Sequence, residues 1–236
     1  MGLTKNFKKL GQDLLDLIFP ISCLICGADQ TFLCAQCQAQ LPRLDQQQCI
    51  GCQKPSPFGK THPDCISKNT ADGALAAAPY RDPNVAKIIE TFKYNFVFEL
   101  ARPLADLIVE TVNRQGLDEY FGEFTIIPVP LHPRRYNWRG FNQAELLIAA
   151  LAEKLQIPCD LKLVVRGKFT KPQIKLSAEE RKKNLDNAFS IIGDPINKKI
   201  LIVDDVVTSG STVNELAKIL KRAGASEVWA LSAAHG

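Results

Sequence analysis

Seven of the eight cysteines fall between Cys23 and Cys65, and six of them form three C-x2-C pairs. No other feature narrows the fold so much. The pairs are Cys23/Cys26, Cys34/Cys37 and Cys49/Cys52; His62 and Cys65 follow. A disulfide framework favours an even cysteine count and an oxidising compartment, and neither is indicated. Seven thiols plus one imidazole make eight soft ligands, enough for two tetrahedral zinc sites. The simplest assignment puts Cys23, Cys26, Cys34 and Cys37 on one zinc and Cys49, Cys52, His62 and Cys65 on the other. A cross-braced pairing satisfies the same spacing. Four protein ligands leave no open coordination position, so the zinc is read as structural. The segment has few long apolar runs, so metal must supply much of its folding free energy. Cys159 stands alone and reads as a small buried hydrophobe.

Before this module, Leu3, Phe7, Leu10, Leu14, Leu17 and Ile18 recur at helical spacing, predicting an amphipathic helix. Asp13 and Asp16 interrupt it, which argues against a secretory leader. No run of about 18 apolar residues is present, so no membrane-spanning helix is expected. A cytoplasmic protein is the expectation. The net charge of +4 is mild and does not demand nucleic acid as a partner.

Near residue 70 the character changes. Strand-like runs at Ala74–Tyr80, Phe124–Pro130, Leu161–Val165, Lys199–Asp204 and Glu227–Ala233 alternate with helical patterns. The helices are expected at Pro83–Lys93 after a cap at Asp82, Leu100–Asn113, Asn142–Leu155, and Thr212–Ala223 closed by Gly224. Ser177 and Glu180 form a capping box for a further short helix. The alternation predicts an α/β domain with an open, mostly parallel sheet over 71–236, preceded by a cysteine-rich zinc module over 1–70. In such sheets ligands sit beyond the carboxyl ends of the strands.

One strand end carries unusual chemistry. Ile200–Thr212 reads ILIVDDVVTSGST. Two carboxylates, Asp204 and Asp205, end an apolar strand. A loop with Thr208, Ser209, Gly210, Ser211 and Thr212 then opens a helix. Helix N-termini offer unpaired N–H groups and partial positive charge, and the hydroxyls add donors, so the loop suits a phosphate monoester. The carboxylates can accept hydrogen bonds from vicinal hydroxyls and help hold a divalent cation through water. A sugar phosphate with free 2′ and 3′ hydroxyls fits both halves. A Walker A loop is excluded, because no Lys follows Gly210; the dinucleotide fingerprint G-x-G-x-x-G is absent. A receiver domain would need several more strand–helix units, and only 31 residues follow Asp205.

Two further segments are basic. Leu131, His132, Arg134, Arg135 and Arg139 follow the run ending at Pro130, with no acid among the arginines. The planar guanidinium binds two oxygens of a diphosphate at once. From Lys162 to Lys183 eight Lys or Arg face only Glu179 and Glu180. Around Thr170–Gln173 this reads as an exposed loop able to close over a diphosphate and keep out water. Lys168 is its candidate catalytic residue, beside Arg135, Asp204 and Asp205.

The stretch VDDVVTSGST resembles the 5-phosphoribosyl 1-pyrophosphate (PRPP) signature of type I phosphoribosyltransferases. The resemblance implies ribose hydroxyls on Asp204 and Asp205, and the 5′-phosphate on the loop from Val206 and Val207 through Thr212. It also implies magnesium with the diphosphate and a nitrogenous acceptor. Over nearly the whole chain, LLDLIFPISCLICG, FKYNFVFELARPLADL, VPLHPRRYNWRGFNQAELL and Q-x2-LS-x3-R-x2-N together resemble the ComF family of late-competence proteins, related to GntX. Some members of that family have Cys where His62 stands here. This second resemblance implies a double-zinc-ribbon-like module on a phosphoribosyltransferase domain, a role in DNA uptake, and single-stranded DNA and other competence proteins as partners. The competing expectation is a catalytically silent PRPP sensor, or a single-strand-binding adaptor using the basic loop with Tyr136, Trp138 and Phe169 as stacking rings.

Overall fold

The computed structural model describes residues 21–167 and 188–236. The expected N-terminal helix, the Ser177–Glu180 capping box, Lys168 and Phe169 lie outside the described residues. The chain forms two compact units, Met1–Leu41 and Pro42–Gly236.

In the first unit a bridge between Ser22 and Asp29 closes a hairpin around Cys23 and Cys26. A single-turn helix, α1 (Ala35–Gln40), follows. The Cys34 thiol caps it, accepting from the Cys37 N–H at 3.5 Å.

The second unit is built on four parallel strands, β1 (Gly73–Pro79), β2 (Phe124–Pro128), β5 (Lys199–Val207) and β6 (Glu227–His235). Their order is β1-β6-β5-β2. Between them run α2 (Pro83–Tyr94), α3 (Ala101–Arg114), α4 (Asp118–Phe121), α5 (Pro133–Arg139), α6 (Gln143–Leu155) and α7 (Ser211–Arg222). The open, mostly parallel sheet is as expected. Asp82 caps α2 through Oδ1, which accepts from the Asn84 and Val85 N–H groups at 3.0 Å. Pro83 fits the first turn because that N–H would be orphaned anyway.

Ile200–Val203 are fully buried because helices cover both faces of β5. On one face Val213, Leu216, Ala217 and Leu220 of α7 pack with Ile200, Ile202 and Ala230. On the other, α3 and α6 pack on the sheet and on each other.

Leu161–Val165 does not join this sheet. Leu161 and Lys162 turn around Asp160, whose Oδ1 accepts the Lys162 N–H at 3.0 Å. Only Val164–Arg166 (β3) is extended, paired antiparallel with Phe189–Ile191 (β4). Periodicity alone cannot distinguish a short apolar run in a side hairpin from one in the main sheet.

Edge strand β1 is covered rather than left to solvent, which protects against edge-to-edge association. The Leu44 N–H donates to the Ala77 carbonyl at 2.9 Å. The Gln47 amide stands in for a neighbouring strand. Its Nε2 donates to the Ala76 carbonyl at 3.0 Å, and its Oε1 accepts the Ala76 N–H at 2.9 Å. Thr61 N–H continues the edge, donating to the Asp72 carbonyl at 2.8 Å. Residues 44–61 therefore belong structurally to the sheet.

Candidate active site and metal centres

The eight zinc ligands gather into two clusters, Cys23/Cys26/Cys34/Cys37 and Cys49/Cys52/His62/Cys65, with all ligand atoms of each within 4.8 Å of one another. The pairing is sequential, not cross-braced. Zinc with Zn–S arms of about 2.3 Å spaces two sulfurs about 3.8 Å apart. Cys26 Sγ and Cys34 Sγ are 3.7 Å apart, so the first cluster fits. In the second, His62 Nδ1 lies 3.3 Å from Cys52 Sγ, while Nε2 donates to the Pro55 carbonyl at 3.1 Å. Ligating histidines ordinarily fix their ring through the second nitrogen in this way. Both clusters are structural zinc sites by ligand number and geometry.

Beyond the carboxyl end of β5 a cavity of about 70 Å3 is lined by Asp204, Val206, Val207, Thr208 and residues 210–213. Gly210 turns the chain at φ +70°, a left-handed conformation that glycine adopts at no steric cost. A Cβ there would also meet Ile50 Cγ1 at 2.5 Å. Ser209 Oγ and Ser211 Oγ are 2.7 Å apart, tying the loop together. Helix α7 begins at Ser211, and Ser211, Thr212 and Val213 of its first turn line the cavity.

The two signature acids do not share an environment. Successive residues of a strand point to opposite faces, and both acids lie within β5. Asp204 lines the cavity. Burial, and next the neighbouring Asp205 carboxylate, push its carboxyl up to about 7. Asp205 is 7% exposed and pairs with Lys93 of α2 at 2.8 Å. Burial works against the Lys93 ammonium, but the Asp205 carboxylate outweighs it and holds the group above its ordinary range. The sequence reading missed Lys93, because a lysine in a helix's last turn ordinarily reads as solvated. The available signal was spacing: Lys93 stands four residues after buried Ile89, on the apolar stripe.

The basic residues divide as well. His132 is buried and caps α5, its Nδ1 accepting the Arg134 N–H at 3.0 Å. Leu131 is half-buried and Arg134 exposed. The Arg139 guanidinium lies over the Tyr94 ring, 5.1 Å from its centroid. Burial, then the neighbouring Arg139 charge, lower the Arg135 guanidinium from its ordinary value. Arg166 of β3, which the sequence did not single out, is 7% exposed. Burial, then the Arg135 charge, bring it down to about 10, while Asp204 opposes that shift. Arg166 thus lies within electrostatic reach of both Arg135 and Asp204. The site places an anion cradle and one carboxylate on β5, with guanidinium groups on the β2 side.

This architecture defines a phosphoribosyltransferase-like domain carrying zinc ribbons. Residues 142–233 match the phosphoribosyl transferase domain model, and residues 14–66 match the double zinc ribbon domain model. Competence protein F of Haemophilus influenzae is 33% identical over 228 residues, covering 92% of this chain and 98% of that protein. DNA utilization protein YhgH of Escherichia coli K12 is 34% identical over 84% of this chain and 89% of that one. Competence protein ComFC of Streptococcus pneumoniae is 27% identical over 92% and 94%. The chain belongs to the competence protein F (ComF) family. Among the described residues no helix is long and apolar enough to cross a membrane.

Proposed function

We propose that the protein is a cytoplasmic phosphoribosyltransferase of the DNA-uptake apparatus, transferring the phosphoribosyl group of PRPP to a nitrogenous acceptor. The observation that carries this reading is the cradle of residues 208–212 at the start of α7, directly beside Asp204. In this reading a zinc-binding module occupies residues 1–70 and the catalytic domain 71–236.

The 5′-phosphate sits on the Thr208–Thr212 loop, where backbone N–H groups and hydroxyls receive its oxygens. Asp204 accepts from the ribose hydroxyls. Asp205 acts from the far face of β5, held by Lys93, and fixes the strand end. Arg135 and Arg166 lie where the diphosphate leaves, with Arg134 and Arg139 at the rim and Leu131 and His132 shaping the turn. Magnesium, when bound with PRPP, supplies charge neutralisation for the leaving diphosphate. The guanidinium groups stabilise the same charge in a partly dry site, where such interactions are strongest. In this reading Lys168 adds a further positive charge for the diphosphate.

The test is calorimetric titration with PRPP, with and without magnesium. The expected result is magnesium-dependent binding that Asp204→Asn/Asp205→Asn abolishes. Absence of binding by folded wild-type protein would refute the reading.

A single-strand-binding adaptor is the second reading. It is favoured by the Arg139–Tyr94 stack and by the exposure of Phe96, Phe98 and Trp138. It requires oligonucleotide binding that weakens steeply with salt and is lost in Tyr94→Ala/Arg139→Ala.

A further inference from the structure

We infer that the second zinc ribbon regulates the PRPP site: its Cys49–Cys52 knuckle is the wall against which the phosphate loop is set, so zinc on the knuckle and PRPP on the loop strengthen each other's binding. This rests on the phosphoribosyltransferase reading and names a control on that same site.

A phosphate cradle binds well only if its donors are held in place before the ligand arrives, because ordering them on binding costs affinity. Gly210 works against this. Its φ of +70° turns the loop, yet glycine has the most conformational freedom to lose. Ile50 supplies the missing confinement. A Cβ on Gly210 would fall 2.5 Å from Ile50 Cγ1 and 3.3 Å from the Ile50 carbonyl oxygen, so the isoleucine fills the place a side chain would take. Ile50 is 3% exposed and shares one apolar core with Val207, before the loop, and Val213, after it.

Hydrogen bonds fasten the same parts. Asn214 Nδ2 of α7 donates to the Ile50 carbonyl at 3.4 Å, and its Oδ1 accepts the Ala71 N–H, just before β1, at 3.1 Å. The Asn214 N–H donates to the Gly210 carbonyl at 2.8 Å, closing the loop into α7. Gln53 Nε2 donates to the same Ile50 carbonyl at 3.3 Å, and Gln53 Oε1 lies 3.2 Å from Nε2 of His235 at the end of β6. Asn214 and Gln53 therefore bind the knuckle to the loop, the helix and the sheet.

Metal chemistry sets where Ile50 stands. It lies between two ligands of the second cluster, Cys49 and Cys52. Zinc draws their thiolates onto one point; without it they have no common partner, and the turn rests on backbone bonds such as Gln53 N–H to the Cys49 carbonyl at 2.8 Å. A Cβ on Gly51 would fall 2.7 Å from Cys65 Cβ, so the knuckle closes directly on the fourth ligand. Loss of this zinc loosens Ile50, and with it the wall behind Gly210. Linkage makes the effect reciprocal: the factor by which zinc raises PRPP affinity is the factor by which PRPP raises zinc affinity. The first cluster belongs to the Met1–Leu41 unit and takes part in none of these bonds, so its zinc is the internal control.

The experiment follows zinc transfer from the wild-type protein to a chromophoric pyridylazo chelator, with and without PRPP and magnesium. Calorimetry gives the PRPP affinity of the same protein. Cys26→Ser, which keeps the second zinc, assigns the two ions. PRPP should raise the affinity for the second zinc about tenfold, the scale of ordinary coupling between sites, and leave the first within about twofold. Ile50→Ala should keep both zinc ions and a cooperative thermal melt, yet bind PRPP about tenfold more weakly and lose the effect of PRPP on zinc. Ile50→Val should restore both. If wild type binds PRPP but neither zinc responds, or both respond alike, the coupling is overturned while the PRPP reading stands. Wild-type PRPP affinity in folded Ile50→Ala overturns it equally; should that variant misfold, the wild-type zinc measurement decides alone. Failure of folded, zinc-loaded wild type to bind PRPP removes the reading beneath it.

Discussion

Replacing Lys93 by Met tests the electrostatic organisation of the site. Lys93 Nζ and Asp205 Oδ1 are 2.8 Å apart, and Asp205 is 7% exposed. At an effective dielectric of about 20, their attraction is about 6 kcal/mol. Part of this offsets the cost of drying both ions, so the attraction is not the stability lost. Removing one partner of such a buried pair costs about 3–5 kcal/mol, because a lone carboxylate stays behind. Met keeps the length and apolar stem of Lys, which separates charge from packing. Lys93→Met/Asp205→Asn removes both charges and should recover most of the loss. The assay is urea unfolding at pH 7. PRPP titration of the same variants gives a functional reading, since a second uncompensated carboxylate beside Asp204 repels an anionic ligand. A Lys93→Met protein within 1 kcal/mol of wild type, or a double variant no more stable than the single one, would refute the argument.

Other perturbations have equally definite outcomes. Gly210→Val forces a β-branched residue into a left-handed turn against Ile50 and should abolish PRPP binding, at a stability cost of about 2 kcal/mol or more; calorimetry and thermal melting read both. Asp204 sits near neutrality, and ribose binding uses its ionised form. PRPP affinity should therefore rise with pH up to about 7 and then level off. The stability sign is opposite: with its folded value raised, Asp204 holds a proton that the unfolded chain gives up, so its contribution falls as pH rises from the ordinary carboxylate range to about 7. Asp204→Asn should accordingly raise the melting temperature at pH 8. Metal analysis should find two zinc ions per chain. Cys49→Ser should remove one and lower the melting temperature of the sheet, because residues 44–61 cover its edge strand.

Much of this molecule was legible because the relevant signals are local. A C-x2-C pair brings two thiolates together within one turn, and any chain presenting two such pairs nearby can close on a metal. The buried strand at Ile200–Val203 announced itself by its unbroken apolar run, and the phosphate loop by hydroxyls around one glycine before an amphipathic helix. Helices α2, α3, α6 and α7 followed from their 3.6-residue stripes, and Asp82 and Asn142 cap α2 and α6 within a residue of the expected starts. Local order of this kind survives in the sequence because each residue's partners lie a few positions away.

Only the tertiary structure decided which distant groups meet. Lys93 and Asp205 are more than a hundred residues apart, and nothing local marks either as the other's partner. Arg166 lies near Arg135 because β3 turns away from the main sheet, which the short run Val164–Arg166 does not reveal. The insertion of β6 between β1 and β5 placed Ser232 beside Asp204. The same packing made Gln47 a substitute strand and pressed Ile50 against Gly210. Sequence determines which elements form and which chemical groups each carries. The sheet order, set by where buried apolar faces find one another, determines which of those groups share a site.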